Sequence, residues 1–316
     1  MIYAPILIPT LNRYEHLPRC ISSLQRNEGA ENTELYISVD YPPSHEYEEG
    51  YNRICDYLKR GIRGFKKTDI VYHNNNLGSV KNADLMISRL RGRFDRYIFI
   101  EDDIEVAPNF LEYMNKGLEL FENDERVFSI CSTGAAQEQH GDYNVVLSRN
   151  FSAWGVGHWF KKDDILKKSL RREYFINIAR DRKKMRALYQ ASAGVFFTFQ
   201  DLILKRGKLF ANCVDDVYMC DQTIKMCAIL QDFYVIGPCR DKTRNWGYDG
   251  SGQNCNIMEG YDPGTDDSLD TEEHFEYIYS EPMHTWGIGG MGGIDNRIRI
   301  IAALVKIGIW RIFDGK

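Results

Sequence analysis

The sequence lacks several features that define other classes of protein. No apolar run approaches the roughly 20 residues of a membrane span, and the apolar start MIYAPILIP is too short for a signal peptide and has no cleavage pattern. The formal net charge is -5, which argues against a general nucleic-acid binder, because such proteins normally carry a basic surface. The eight cysteines lack the short paired spacings of a zinc site. We therefore expect a cytoplasmic protein with reduced thiols and no nucleic-acid partner; disulfide bonding is the alternative for the cysteines.

The sequence does contain a regular alternation of short apolar runs and segments with helical spacing. With 316 residues, of which 43% are hydrophobic, the chain is long enough to bury a full core. The alternation predicts an α/β fold with a mostly parallel sheet that is covered by helices on both faces. The predicted strands are Pro5–Pro9, Glu34–Asp40, Asp69–His73 and Arg96–Ile100, and the helices between them are Leu17–Arg26, Ile54–Lys59 and Ser79–Leu90.

Three consecutive carboxylates, Glu101, Asp102 and Asp103, directly follow the fourth predicted strand. Asp40 ends the second strand, and ligands of parallel sheets bind where the carboxyl ends of the strands meet. Carboxylates are the ligands that Mg²⁺ and Mn²⁺ prefer, and a site with few of them leaves positions open for diphosphate oxygens. The cluster therefore predicts a metal-diphosphate site; the alternative is an acidic turn that caps a helix at Asn109–Phe121.

The order of the motifs PILIPTLNR, YISVD, IFIEDDIEVAPNF and VDDVY resembles the GT-A nucleotide-sugar glycosyltransferases. The likeness is greatest to the N-acetylglucosaminyltransferase I type and extends to bacterial family 2-like glycosyltransferases. It implies a GT-A, Rossmann-like fold with a mostly parallel central sheet, an irregular acceptor-side half and a C-terminal helix. The implied organisation is a nucleotide-sugar-binding half at residues 1–105, an acceptor-binding and catalytic half at 106–260, and a C-terminal loop and amphipathic helix at 261–316.

The resemblance also implies which residues bind the donor. In the family, the acid that ends the second strand contacts the uracil or ribose, which points to Asp40 here. The last acid of the metal motif binds the metal directly, which implies that role for Asp103, whereas Asp102 reaches the ribose and Glu101 orients its neighbours. The other implied residues are Pro9, Thr10 and Arg13 after the first strand, Asn76, Gly78 and Lys81 over the base and first phosphate, and Ser251 in a late loop over the diphosphate.

The segment NCVDDVYM resembles the acidic pair that supplies the family's catalytic base. The resemblance implies that Asp216 is the base and that Asp215 orients it. The alternative is an N-terminal cap on a helix predicted at Val217–Leu230, because acidic residues favour that position. The late loop lacks the histidine with which bacterial relatives end it, so His284 is the alternative source of a metal-binding imidazole.

The segment FSAWGVGHWF contains Trp154, Gly155, Gly157, His158 and Trp159. Flat aromatic rings stack on the apolar faces of sugars, so we expect a sugar of the donor or acceptor to rest here. Core packing is the alternative.

These observations favour an inverting, metal-dependent glycosyltransferase that uses Mn²⁺ or Mg²⁺ and a nucleotide-sugar donor, expected to be a UDP-sugar. The expected acceptor is a hydroxyl of a glycan or a lipid-linked sugar in bacterial-type surface polysaccharide synthesis. A nucleotidyltransferase is one alternative, although ILIPTLNRYEHL lacks its Gly-rich basic loop. A non-catalytic sugar-nucleotide- or glycan-binding module on the same fold is the other.

The C-terminal segment Asn296–Phe313 is predicted to be an amphipathic helix. Its apolar stripe consists of Ile298, Ile301, Val305, Ile309 and Ile312. With nearby Arg and Lys, this stripe predicts peripheral contact with the inner face of a membrane. The alternative is that the stripe docks on the catalytic domain or on a second subunit of a homo-oligomer.

Overall fold

The structure is a computed structural model that describes residues 3–133, 143–205, 217–218, 220–252, 257, 259–260, 262–280, 282–286 and 294–313. Six of the eight cysteines lie in these ranges, and each of the six is a free thiol.

The first hundred residues alternate strands and helices as the sequence predicts. β1 pairs in parallel with both β2 and β4, and β2 pairs in parallel with β3. The carboxyl ends of these strands therefore meet at one edge of the sheet. The elements are β1 Ile6–Thr10, α1 Leu17–Gln25, β2 Glu34–Val39, α2 Glu48–Lys59, β3 Lys67–Tyr72, α3 Ser79–Leu90 and β4 Arg96–Ile100.

The second half continues the same sheet with mixed strand directions. Its elements in the described residues are β5 Ile104–Val106, α4 Phe110–Leu120, β6 Val127–Cys131, β7 Val145–Ser148, β8 Gly155–Trp159, α5 Phe160–Ser169, α6 Arg172–Arg180, α7 Arg182–Ala191, α8 Ala193–Ile203, α9 Asp221–Gln231, β9 Tyr234–Pro238, β10 Thr243–Asn245, β11 Thr285–Trp286 and α10 Ile294–Phe313. The strand order is β11-β7-β9-β6-β8-β4-β1-β2-β3, and β8 runs antiparallel to both β4 and β6. The predicted donor and acceptor halves thus share one sheet, in which parallel pairs are the majority.

The aromatic segment forms a central strand rather than an open sugar platform. His158 and Trp159 are buried in β8, and the indole Nε1 of Trp159 donates a hydrogen bond to the carbonyl of Leu118 at 3.1 Å. For these two residues the sugar-stacking prediction is wrong, because β8 lies between β4 and β6, where both faces of the sheet are covered. Trp154, just before the strand, is half-buried and packs edge-on against Tyr248, with ring centroids 6.0 Å apart.

The C-terminal helix α10 packs on α8 through one face, and the aliphatic stripe predicted from the sequence lies on the other. The helix therefore docks on the rest of the chain, but it does so without using that stripe. Within the described residues, no helix combines the length and the hydropathy that a membrane span requires.

Candidate active site

A cleft of about 320 Å³ opens at the carboxyl ends of β1, β2 and β4. It is lined by strand ends and by the loops that follow them, where backbone and side-chain groups are free to face a ligand. Ten of the residues predicted for donor and metal binding line it: Pro9, Thr10, Arg13, Asp40, Asn76, Gly78, Glu101, Asp102, Asp103 and Ser251.

Arg13 joins the first-strand loop to the acidic cluster. Its guanidinium forks onto two carboxylates, donating to Asp102 Oδ1 and to Asp103 Oδ2. The hydroxyl of Thr10 donates to the other oxygen of Asp102 at 2.6 Å. Both oxygens of Asp102 therefore have protein partners in this structure, and this residue holds the loop after β1 against the end of β4.

Asp103 is the acid with an open coordination position. Its carboxylate is 3% exposed, and while Oδ2 accepts from Arg13, the buried Oδ1 has no hydrogen-bond partner among the described residues. Burial raises the pKa of Asp103, although Arg13 opposes the shift. A buried carboxylate oxygen without a partner is costly unless a ligand satisfies it, so this donor fits a hard divalent cation.

The described residues contain no group of three or more His, Cys, Asp or Glu side chains arranged to bind a metal. A cation at Asp103 would therefore take most of its remaining ligands from diphosphate oxygens and water. Mg²⁺ and Mn²⁺ are commonly bound in this way beside phosphates.

The late loop from Thr243 to Gly252 closes over Asp103. The backbone N–H of Trp246 donates to the Asp103 carbonyl at 3.0 Å, and a Cβ on Gly247 would lie 2.0 Å from Asp103 Oδ2. Only glycine permits so close an approach of backbone to carboxylate. The loop is anchored by β10, which pairs antiparallel with β5 directly after the acidic cluster. Gly250, Ser251 and Gly252 then form one wall of the cleft.

A histidine that sequence reasoning missed fastens this loop to the first half of the chain. His16 Nε2 lies 2.9 Å from Asp249 Oδ2 and 3.4 Å from Ser251 Oγ. His16 is buried, whereas Asp249 and Ser251 are exposed. The three side chains form a latch between the start of α1 and the tip of the loop, which we call the His16 latch.

Replacing His16 by alanine is expected to raise the KM for the donor about tenfold, with a smaller effect on kcat. The reason is that the lost hydrogen bonds would hold the loop closed over a bound donor, and a net loss of about 1–1.5 kcal/mol corresponds to that factor. Steady-state kinetics of His16→Ala, Asp249→Ala and the double variant measure the coupling. The exposed His274→Ala is the matched control. Additive effects of the two single changes would contradict the latch.

Asp40 holds the loop before α3 rather than presenting a free carboxylate. It accepts hydrogen bonds from the backbone N–H groups of Tyr41 at 2.9 Å, Leu77 at 2.8 Å and Gly78 at 2.9 Å, and from Asn76 Nδ2 at 3.3 Å. A carboxylate offers about four acceptor sites, so protein groups occupy them all here. Gly78 has φ +77°, a conformation that side chains rarely adopt. Asp40 and Gly78 together shape the wall of the cleft that the sequence assigns to the base.

Two predicted residues are not brought to the cleft. Lys81 is exposed on α3 and is not among the residues that line the cleft. His284 precedes β11, five strand positions from β4 or roughly 24 Å at the usual strand spacing, and its ring stacks on Tyr143 at 4.2 Å. The structure therefore provides no support for His284 as a metal ligand.

Changing Lys81 to alanine is expected to alter the donor KM by less than about twofold, the usual effect of a surface substitution. The same kinetic assay tests it. A tenfold rise would show that α3 moves to bring this ammonium to the phosphate.

Asp215 and Asp216 lie outside the described residues, but the helix that follows them is described. It begins at Asp221 rather than Val217, and the backbone N–H of Cys220 at its start is bonded by Thr223 Oγ1 at 3.1 Å. The prediction of a helix from Val217 is therefore wrong, because Val217 forms an isolated bridge with Arg171. The capping alternative for the acidic pair fails with it, since the cap position belongs to Cys220.

Asp221 is a second acid that sequence reasoning missed. Burial, together with the charges of Asp103 and Asp221, raises the pKa of Glu101 to about 8, so Asp221 lies within electrostatic range of the acidic cluster. Asp221 is half-buried, and burial raises its own pKa although Lys225 opposes the shift. The available signal was an acid in the first turn of a helix, a pattern that is common without any catalytic role.

Comparisons with solved structures give distant likenesses at low identity. S. aureus TarS 1–349 in complex with UDP is 11% identical with a TM-score of 0.41, covering 73% of this chain and 70% of that one. Galactosyltransferase LgtC in complex with donor and acceptor sugar analogues is 11% identical with a TM-score of 0.35, covering 72% and 70%. Mannosyltransferase PcManGT from Pyrobaculum calidifontis in complex with GDP-Man and Mn²⁺ is 11% identical with a TM-score of 0.36, covering 52% and 46%. The alignment covers only 23% of a longer TarS chain.

No curated protein matches the chain. A family model does match, from residue 6 to residue 198, and its description is glycosyl transferase family 2. The matched region runs from β1 into α8 and includes the acidic cluster and the cleft-lining loops after β1, β2 and β3, but not the late loop. Because it spans more than half of the chain, the chain belongs to glycosyl transferase family 2.

Proposed function

We propose that the protein transfers a sugar from a nucleoside diphosphate donor, a UDP-sugar by the resemblance of its motifs, to a hydroxyl of a glycan or lipid-linked acceptor. The observation that carries the proposal is the buried Oδ1 of Asp103, which has no partner among the described residues and belongs to a side chain that lines a cleft between strand ends. A diphosphate with its divalent cation supplies what that oxygen lacks. The bacterial-type surface polysaccharide pathway and a cytoplasmic location belong to this proposal and follow from the sequence patterns alone.

The residues of the cleft would divide the work of donor binding. The Asp40 loop and Asn76 shape the wall for the nucleoside, and the His16 latch keeps the late loop over the diphosphate. Asp103 would hold Mn²⁺ or Mg²⁺, which when bound neutralises the charge that develops on the departing diphosphate. Arg13 fixes the direction of the Asp103 carboxylate through its bond to Oδ2.

Inverting transfer needs a base that removes the proton of the acceptor hydroxyl on the face of the sugar opposite the diphosphate. We assign that role to Asp221, because a half-buried carboxylate with a raised pKa beside Glu101 is better matched to accepting a proton than a solvated one. Asp216, which the sequence resemblance favours, is the competing assignment. The hydroxyl oxygen then bonds to the anomeric carbon as the bond to the diphosphate breaks, and the nucleoside diphosphate leaves.

Incubation with a panel of nucleotide sugars and simple sugar acceptors, followed by mass spectrometry, tests the proposal. Free nucleoside diphosphate with a glycosylated acceptor is the expected result, and NMR of the product is expected to show an inverted anomeric configuration. Release of pyrophosphate would instead identify a nucleotidyltransferase. Binding without turnover would identify a sugar-nucleotide-binding module.

A further inference from the structure

The C-terminal helix α10 has apolar faces on two opposite sides. One face is buried against the helical layer that contains α8, through Ile300, Ala303, Ile307 and Trp310, which are each no more than 7% exposed. The helix is held further by Arg311, whose guanidinium donates to the Ala179 carbonyl, and by Arg299, which lies 4.4 Å above the Phe197 ring. The position of α10 on the domain is therefore fixed by its own packing.

The other face is an unpartnered aliphatic stripe. Its members are Ile298 at 61%, Ile301 at 63%, Val305 at 57%, Ile309 at 52% and Ile312 at 69% exposure. With about 100° between successive residues, these five fall within an arc of roughly 80° whose centre is about 180° from the buried face. Because the helix is already packed, the stripe is not needed to hold it, and it points away from the domain. Exposed aliphatic patches of this kind mark surfaces that meet a partner.

Cationic side chains flank the stripe on both sides. On the same helical projection, Arg299 and Lys306 lie along one flank and Arg297 and Arg311 along the other. Against these four, the helix carries one acid, Asp295.

The segment that forms the helices before α10 is basic as well, although α8 itself carries one Asp and no Lys or Arg. Residues 160–205, which include α5 to α8, carry twelve Lys and Arg but five Asp and Glu. Burial and the charge of Arg182 on α7 lower the pKa of Arg311, so Arg182 lies near Arg311. These two regions together contribute +10 to a chain whose net charge is -5, so the rest of the chain carries -15. The C-terminal helix and the helical segment before it are thus a basic part of an acidic protein.

We propose that the aliphatic stripe of α10 inserts into the headgroup layer of an anionic lipid bilayer, with the helix lying parallel to the membrane plane. Ile and Val side chains carry no polar group, and their burial among acyl chains is favourable. Arg297 and Lys306, which are exposed on opposite flanks of the stripe, would meet the lipid phosphates at the same depth. A second copy of the chain fits worse, because a two-fold contact through the stripe would bring the Arg297 and Lys306 side chains of both copies into the same contact. This proposal does not depend on the sugar that the enzyme transfers.

Sedimentation of the full chain with vesicles tests the proposal. We expect binding to phosphatidylcholine vesicles with about one third phosphatidylglycerol, weaker binding as salt is raised, and little binding to pure phosphatidylcholine. The triple variant Ile301→Glu, Val305→Glu, Ile309→Glu is expected to bind at least about tenfold more weakly while its circular dichroism and its activity on a soluble acceptor stay unchanged. The control is the double variant Leu120→Glu, Ile278→Glu, at sites that are 50% and 49% exposed elsewhere on the surface; it is expected to bind like the wild type.

Two double variants that remove positive charges test whether the flanking cations contribute to lipid binding. Arg297→Gln with Lys306→Gln is expected to weaken binding to the anionic vesicles by roughly fivefold for each charge removed, whereas Arg60→Gln with Arg63→Gln, exposed on another face, has no effect. Three results would overturn the proposal: a wild type that ignores anionic vesicles, binding that survives the triple variant, or a wild-type dimer in sedimentation velocity that the triple variant dissociates.

Discussion

Replacing Asp103 by alanine is expected to lower the rate of sugar transfer on the order of 10³-fold or more, the scale on which a lost electrostatic contact to the leaving group acts. The change removes the one buried carboxylate oxygen at the cleft that has no partner among the described residues. The fold is expected to survive, because Arg13 keeps its bond to Asp102 and because burial raises the pKa of Asp103. An acid with a raised pKa in the folded state destabilises that state when it is ionised.

The measurement is the initial rate over a range of Mn²⁺ and Mg²⁺ concentrations, with a thermal melt of each protein. Asp164→Ala, an aspartate-to-alanine change at an exposed surface ion pair, is the matched control and is expected to retain full activity. Full turnover of the wild type in excess EDTA would contradict the role assigned to Asp103. So would an active Asp103→Ala variant.

The substitution Asp221→Asn is expected to lower kcat by about 10²–10⁴-fold while donor binding changes little, because an amide keeps the size of the side chain but cannot accept the proton. Loss of the acid from the first turn of α9 costs only about 0.3–1 kcal/mol of stability. Single-turnover kinetics and direct binding of the nucleoside diphosphate separate the two effects.

Asp216→Asn is the matched comparison, because it makes the same chemical change five residues earlier in the chain. If Asp221 is the base, Asp216→Asn retains most of its turnover. If instead Asp216→Asn loses turnover and Asp221→Asn keeps it, the assignment that the sequence resemblance favours is right.

The donor side of the fold was predictable because its signals are local. The strands β1, β2 and β4 are short apolar runs that end in polar residues. The geometry of a parallel sheet alone brings those ends together, independently of the rest of the chain. Ten predicted residues therefore line one cleft. Lys81 does not line the cleft. The sequence pattern placed it correctly on α3 but gave no information on the direction in which its side chain points.

The acceptor side was harder to predict because its strands pair across long separations and in mixed directions. β8 was hidden in a segment whose glycines and aromatic rings also suit a binding surface, and its burial depends on β4 and β6, which lie far from it in sequence. The His16 latch joins residues 233 positions apart. Neither the pairing of β8 nor the His16 latch produces a periodic pattern of residues, so neither can be predicted from a single sequence.

The stripe on α10 also combines a local signal, which was predictable, with a long-range contact, which was not. Its spacing was visible in the sequence and the helix was predicted within two residues at its start. The choice between docking and exposure was not visible, because α10 carries a second apolar face at the same helical period. The structure resolves it by burying Ile300 and Ile307 and leaving Ile301 and Val305 outside.

The most direct test of the central claim is calorimetric titration of nucleoside diphosphates into the wild type and Asp103→Ala, with and without Mn²⁺. The account predicts that UDP binds the wild type in the presence of Mn²⁺, that removal of the metal weakens binding at least about tenfold, and that Asp103→Ala binds UDP equally weakly with and without Mn²⁺. Equal binding of UDP by the two proteins, with no effect of the metal on either, would contradict it.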